Sequence, residues 1–212
     1  MLNAIVRRPV SPSDAPPMLV LLHGLGADEH DLMGLAPELD PRLLIVSIRA
    51  PLGYGNGGYA WFEVHWDEKG VHVDPEQALA SRDLLVETLR SLPEGLGVQP
   101  SKTLLGGFSQ GAMMSLGVAF SAPELIEGVV SMSGRMLPEF VPTEVLAATT
   151  RLPFLVQHGT VDPLLPVQGS REIRDLLESV GCPVSYHEYP MAHEIGQKSL
   201  ADVRDWVRER LQ

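Results

Sequence analysis

The chain has 212 residues, 44% of them hydrophobic, enough to bury one substantial core, so a single domain over residues 1–212 is expected. A net charge of −11, with the basic residues scattered, repels phosphate backbones and anionic lipid, which argues against nucleic acid and stable membrane association as partners. No uncharged apolar run reaches the length of about 18 residues that a spanning helix needs.

Arg7 and Arg8 are followed by Ser11-Pro12-Ser13-Asp14 in place of an apolar stretch, so no secretory leader is expected and the expected location is the cytoplasm. The only cysteine, Cys182, sits in the turn Gly181-Cys182-Pro183 and reads as a structural thiol. Short apolar runs at Met18 to Leu22, Leu43 to Ile48, Thr103 to Phe108 and Phe154 to Gln157 suit buried parallel strands, with Gly128 to Ser131 and Val184 to Tyr189 as further candidates. Amphipathic helices are expected at Pro75 to Leu92, Glu172 to Val180 and Leu200 to Leu211, and a further helical run at Ala112 to Phe120. Strands alternating with helices predict an α/β fold: a mostly parallel central sheet covered on both faces, with chemistry at the carboxyl ends of the strands.

The strand Thr103 to Phe108 runs into Gly107-Phe108-Ser109-Gln110-Gly111, which fits a G-x-S-x-G turn between a strand and a helix. Such a turn brings strand and helix so close that the flanking positions must be glycine, and it exposes the serine oxygen. Ser109 is therefore the candidate nucleophile.

A serine hydroxyl needs an imidazole to take its proton and a carboxylate to orient that imidazole, and after this kind of elbow the chain order is serine, acid, histidine. Of the seven histidines only His158, His187 and His193 follow Ser109. His158 precedes every plausible acid on the following loop, and His187 falls inside a strand-like run. His193, in the loop Pro190-Met191-Ala192-His193-Glu194, is the expected base. Asp162, in His158-Gly159-Thr160-Val161-Asp162-Pro163, is the expected acid, because Asp175, Asp202 and Asp205 fall on polar helix faces.

An oxyanion needs preorganised N–H donors. One is the N–H of Gln110, at the positive end of the helix that begins there. The second comes from His23-Gly24-Leu25-Gly26-Ala27-Asp28, where Leu25 and Gly26 are both open on geometry. A dinucleotide turn is the rival reading of that loop, but its third position holds Glu29, which repels a pyrophosphate; no cofactor is expected. His23 precedes the serine and reads as a residue that shapes the loop. There is no metal-ligand motif of H-E-x-x-H or paired-cysteine type, so no metal is expected.

Taken in order, Leu22-His23-Gly24-Leu25-Gly26-Ala27-Asp28, Arg49-Ala50-Pro51, Trp61-Phe62, Gly107 to Gly111, His158 to Asp162 with Pro166, and Tyr189 to Ile195 resemble the phospholipase/carboxylesterase family of small α/β hydrolases, bacterial carboxylesterases and acyl-protein thioesterases among them. The resemblance implies the α/β-hydrolase fold without a large cap domain, Leu25 as the second oxyanion donor, and an acyl pocket covered by Trp61 and Phe62. Two departures stand out: Ala112, where the family often has a second glycine, and the glycine-rich stretch Gly53 to Tyr59 before Trp61.

Five of the twelve aromatic residues, Tyr54, Tyr59, Trp61, Phe62 and Trp66, fall in a segment that is neither clearly helix nor strand, and the expectation is that they line the pocket. Met113, Met114, Met132 and Met191 could reach the cleft, with core filling expected for most of them. The leading function is a carboxylesterase acting on small acyl esters through an acyl-enzyme. The rivals are a long-chain lysophospholipase or acyl-protein thioesterase, and a ligand-binding receptor that keeps the triad with slow turnover. A small-molecule acyl ester is the expected partner, and a homodimer is left open.

Overall fold

The computed structural model describes residues 1–67, 70–142, 144 and 147–212, and only the backbone of residues 66, 67, 70 and 71. In chain order the strands are β1 (Ala4–Arg7), β2 (Met18–Leu22), β3 (Leu44–Ile48), β4 (Leu52–Tyr54), β5 (Gly58–Ala60), β6 (Val64–Asp67), β7 (Gly70–Val73), β8 (Thr103–Phe108), β9 (Val129–Met132), β10 (Phe154–Gly159) and β11 (Val184–Tyr189). The helices are α1 (Pro75–Leu96), α2 (Gln110–Ser121), α3 (Gln168–Ser179) and α4 (Gln197–Glu209).

Seven strands form the central sheet in the order β1-β3-β2-β8-β9-β10-β11. Every pairing is parallel except that of β1 with β3. Each middle strand is buried on both faces, which is why β2 and β3 read as unbroken apolar runs and not as alternating ones. Met18, Val20 and Leu22 face a core shared with Leu85 and Leu89 of α1, Met114 and Val118 of α2, and Ile173 and Leu177 of α3. Leu19 and Leu21 face a second core with Val203, Trp206 and Val207 of α4.

The expected strands and helices are all present, with shifted ends. Helices α2, α3 and α4 begin two to four residues ahead of the apolar periodicity, at Gln110, Gln168 and Gln197, because their first turns are polar or small. Helix α1 runs past Leu92 through Pro93 to Leu96; a proline in the last turn removes a single backbone bond, and Gly97 then closes the helix with a φ of +64°. Its start is capped by Asp74, which accepts the Gln77 N–H at 3.0 Å.

Three elements lie where no strand was expected: the edge strand β1 and the hairpins β4–β5 and β6–β7. Both hairpins fall in the segment that sequence reasoning left unassigned, and they sit between β3 and α1, at the carboxyl end of the sheet.

Candidate active site

Ser109 follows β8 and takes φ 55° and ψ −116°, a conformation that L-residues rarely adopt. The flanking glycines make it affordable: a Cβ on Gly107 would run into the carbonyl of Gly111, and a Cβ on Gly111 into the carbonyl of Leu22. The turn thus lifts the serine hydroxyl above the sheet and starts α2 at Gln110.

The loop after β11 brings His193 to Ser109, and the loop after β10 brings Asp162 to His193. His193 Nε2 lies 2.9 Å from Ser109 Oγ, and His193 Nδ1 lies 2.6 Å from Asp162 Oδ2. An ionised carboxylate only accepts, so Nδ1 carries the imidazole proton and Nε2 is left to accept the serine hydroxyl. Phe108 holds the ring from the side, its centroid 4.8 Å from that of His193. These are the three residues that the motif order singled out.

The Asp162 side chain is fully buried. Burial pushes its carboxyl up, but hydrogen bonds from the Leu165 N–H, from His193 and from the Leu164 N–H outweigh this, and the net direction is downward. It therefore stays ionised beside the imidazole.

Sequence reasoning passed over His158, which stands next to the acid. Its Nε2 donates to the Leu165 carbonyl at 2.8 Å and lies 3.2 Å from Asp162 Oδ2, while its Nδ1 accepts the Ser170 hydroxyl. Burial first of all lowers its pKa, so the ring is neutral. Its place at the end of β10, four residues before Asp162, was the available signal.

The loop after β2 holds the N–H groups of Leu25 and Gly26, and α2 opens with that of Gln110. The Gly26 N–H is committed to the Tyr59 carbonyl at 2.8 Å, whereas the N–H groups of Leu25 and Gln110 have no partner among the described residues. The loop is held by His23, which is buried: its Nδ1 donates to the Gly24 carbonyl at 2.7 Å and its Nε2 accepts the Ala50 N–H at 3.0 Å. Glu29 and Arg49 add a pair with Nε to Oε2 at 2.6 Å, and the Arg49 guanidinium lies over the Tyr59 ring. Asp28, Glu29 and His30 bring their ligand atoms within 4.8 Å of one another, but the Glu29 carboxylate is already neutralised by Arg49, which leaves too few donors for a metal.

Beside Ser109 opens a cavity of about 230 Å³, lined by Leu25, Phe62, Val64, Val73, Met113 and Leu165, with Asp31 and Arg135 as the charged side chains among its described lining. Of the described side chains of the aromatic cluster expected here, only that of Phe62 lines it. Trp61 is equally buried but turns inward, its indole N–H donating to the His23 carbonyl at 2.9 Å. Tyr59 is engaged by Arg49, Tyr54 is exposed on the β4–β5 hairpin, and the Trp66 side chain lies outside the described residues. Val64 and Val73, a cross-strand pair of the second hairpin, line it as well. Met113 reaches the cavity; Met114 and Met132 fill core.

A mostly parallel sheet with helices on both faces and a serine elbow at its centre is the α/β-hydrolase fold, and the chain is a serine hydrolase. It belongs to the phospholipase/carboxylesterase family, whose model matches residues 4–211. It is 32% identical over 215 residues to esterase YpfH of Escherichia coli (strain K12), covering 96% of this chain and 86% of that protein. It is 27% identical over 227 residues to acyl-protein thioesterase 1 of Debaryomyces hansenii, covering 97% and 96% of the two. The crystal structure of esterase PE8 superposes with a TM-score of 0.86 at 30% identity, covering 98% of each chain. Among the described residues no helix is long and apolar enough to cross a membrane.

Proposed function

We propose that the chain hydrolyses small acyl esters through an acyl-enzyme, with Ser109 as nucleophile, His193 as base and Asp162 as the acid that orients it. The observation that carries this reading is the hydrogen-bonded row from Ser109 Oγ to His193 to Asp162, at 2.9 and 2.6 Å, opening on an apolar cavity. Ser109 Oγ bonds to the acyl carbon as its proton passes to His193 Nε2, and the carbonyl oxygen becomes an oxyanion facing the N–H groups of Leu25 and Gln110. Collapse breaks the ester bond, and the departing alcohol takes the proton from His193. Water then repeats the sequence on the acyl-enzyme and frees the acid.

The cavity, about 230 Å³, is below the roughly 300–1,000 Å³ of sites that hold drug-sized ligands, which favours a short acyl group. One observation favours the long-chain thioesterase or lysophospholipase reading: Leu164, 64% exposed, carries the apolar lining of the cavity out to the surface. A steady-state screen of acyl esters and thioesters of graded length separates the two. The small-ester reading expects the best kcat/KM at roughly two to eight carbons, since each further methylene gains about 0.8 kcal/mol only while it can be buried. A kcat/KM that keeps rising from butyryl through palmitoyl esters, below their critical micelle concentrations, would establish the long-chain reading instead.

A further inference from the structure

Among the described residues Arg135 is the only lysine or arginine lining the cavity beside Ser109; it is half-buried and has no hydrogen bond, ion pair or ring contact with any of them. A guanidinium presents a fork of donors matched to a carboxylate, and in surroundings of low dielectric it gains most from an opposite charge. Phe62, Met113 and Leu165 offer it none.

The loop that carries Arg135 is held in place. Ser133 follows β9 with a φ of 52°, and among the described non-glycine residues only Ser109 shares a positive φ. The Ser133 N–H donates to the Gln157 carbonyl at 2.8 Å, and Gly169 lies so near that a Cβ there would come within 3.0 Å of Arg135 Cβ. Backbone strain of this kind gathers at ligand sites. Strand order then gives the cavity a polarity. Asp31 comes from the loop after β2 and Arg135 from the loop after β9, while Ser109 follows β8, the strand between them. Asp31 and Arg135 form no ion pair, so the cation is free to meet a ligand on the β9 side.

We propose that Arg135 makes this site selective for esters or thioesters carrying a carboxylate a few bonds from the scissile carbonyl, with the guanidinium receiving that carboxylate. The proposal rests on the serine-hydrolase reading of the same cavity. A protein of net charge −11 otherwise repels such substrates, so among the described cavity residues the selectivity rests on Arg135.

The test compares matched substrates in wild type, Arg135→Gln and Arg135→Lys. One arm puts the carboxylate on the acyl side, mono-para-nitrophenyl adipate against para-nitrophenyl hexanoate; the other puts it on the alcohol side, para-carboxyphenyl butyrate against phenyl butyrate. The readout is the ratio of kcat/KM for the anionic ester over its neutral partner. In at least one arm Arg135→Gln should lower that ratio about ten- to hundredfold, chiefly through KM, Arg135→Lys should restore part of it, and added salt should compress the wild-type ratio. The arm that responds identifies the side on which the carboxylate sits. Ratios within twofold of wild type in both arms, with neutral esters still hydrolysed, overturn the role of Arg135 and leave the hydrolase reading standing. Failure of wild type to hydrolyse any of the four esters overturns both.

Discussion

The Gln110 side chain is bound to the backbone of Trp61: its Oε1 accepts the Trp61 N–H at 3.0 Å, and its Nε2 donates to the next carbonyl, that of Phe62, at 2.9 Å. The first residue of α2 is thereby tied to the segment that brings Phe62 into the cavity. Gln110→Leu leaves a buried N–H and a buried carbonyl unpaired, at about 1–3 kcal/mol each. The melting temperature should fall, and kcat/KM should fall with it as the Gln110 N–H loses its position. An unchanged melting temperature would show that the two bonds add nothing net.

Ser109→Ala should abolish both ester hydrolysis and labelling by a fluorophosphonate. Asp162→Asn should keep the fold and lower kcat by something like 10⁴, because the amide would favour the wrong imidazole tautomer. A loss below about tenfold would mean that another group orients His193.

The elements that place these three residues were legible in the sequence because each announces itself locally. A buried parallel strand is an unbroken apolar run, and a strand-turn-helix elbow requires Gly107 and Gly111. What stayed hidden depends on contacts between distant segments. Strand β1 has four residues, alternately exposed and half-buried, and its pairing with β3 leaves no mark in its own composition. Trp61 and Phe62 are adjacent and equally buried, yet only one faces the cavity; that choice is made by His23 and Gln110. Loop geometry alone left Leu25 and Gly26 both open, with only the family resemblance favouring Leu25; Tyr59, more than thirty positions away, separates them by engaging the Gly26 N–H.

If Val64 and Val73 cover the acyl group, Val73→Ala should shift the preferred ester toward longer chains. Each methylene newly accommodated is worth about fourfold in kcat/KM, the equivalent of about 0.8 kcal/mol. The same graded esters provide the measurement. An optimum that does not move would place the acyl group elsewhere in the cavity.

Glu29 sets an acid limit on stability. The Arg49 guanidinium holds its carboxyl down to about 2, against an ordinary value of 4.5. A depressed acid stabilises the fold fully above its unfolded value, and that contribution is lost as pH falls from 4.5 through about 2. Glu188, held at about 2 by Arg171 and Tyr186, titrates over the same range. Glu29→Gln should therefore lower the melting temperature at neutral pH and lose less than wild type on acidification. Parallel curves of melting temperature against pH would contradict this.

The strained turn at Ser109 also bears on how stable the chain can be. A residue held in a sparsely populated backbone region costs roughly 1–3 kcal/mol, and glycine alone escapes most of that penalty. Ser109→Gly and Ser109→Ala both lack the hydroxyl, but only the glycine variant relaxes the backbone, so it should melt higher by about 2–4 °C for each kcal/mol released. Equal melting temperatures would mean that the elbow stores no strain. If Ser109 is the nucleophile, the most durable form of this chain is an inert one: the serine persists in a posture its own backbone disfavours, and the surrounding sheet keeps it there.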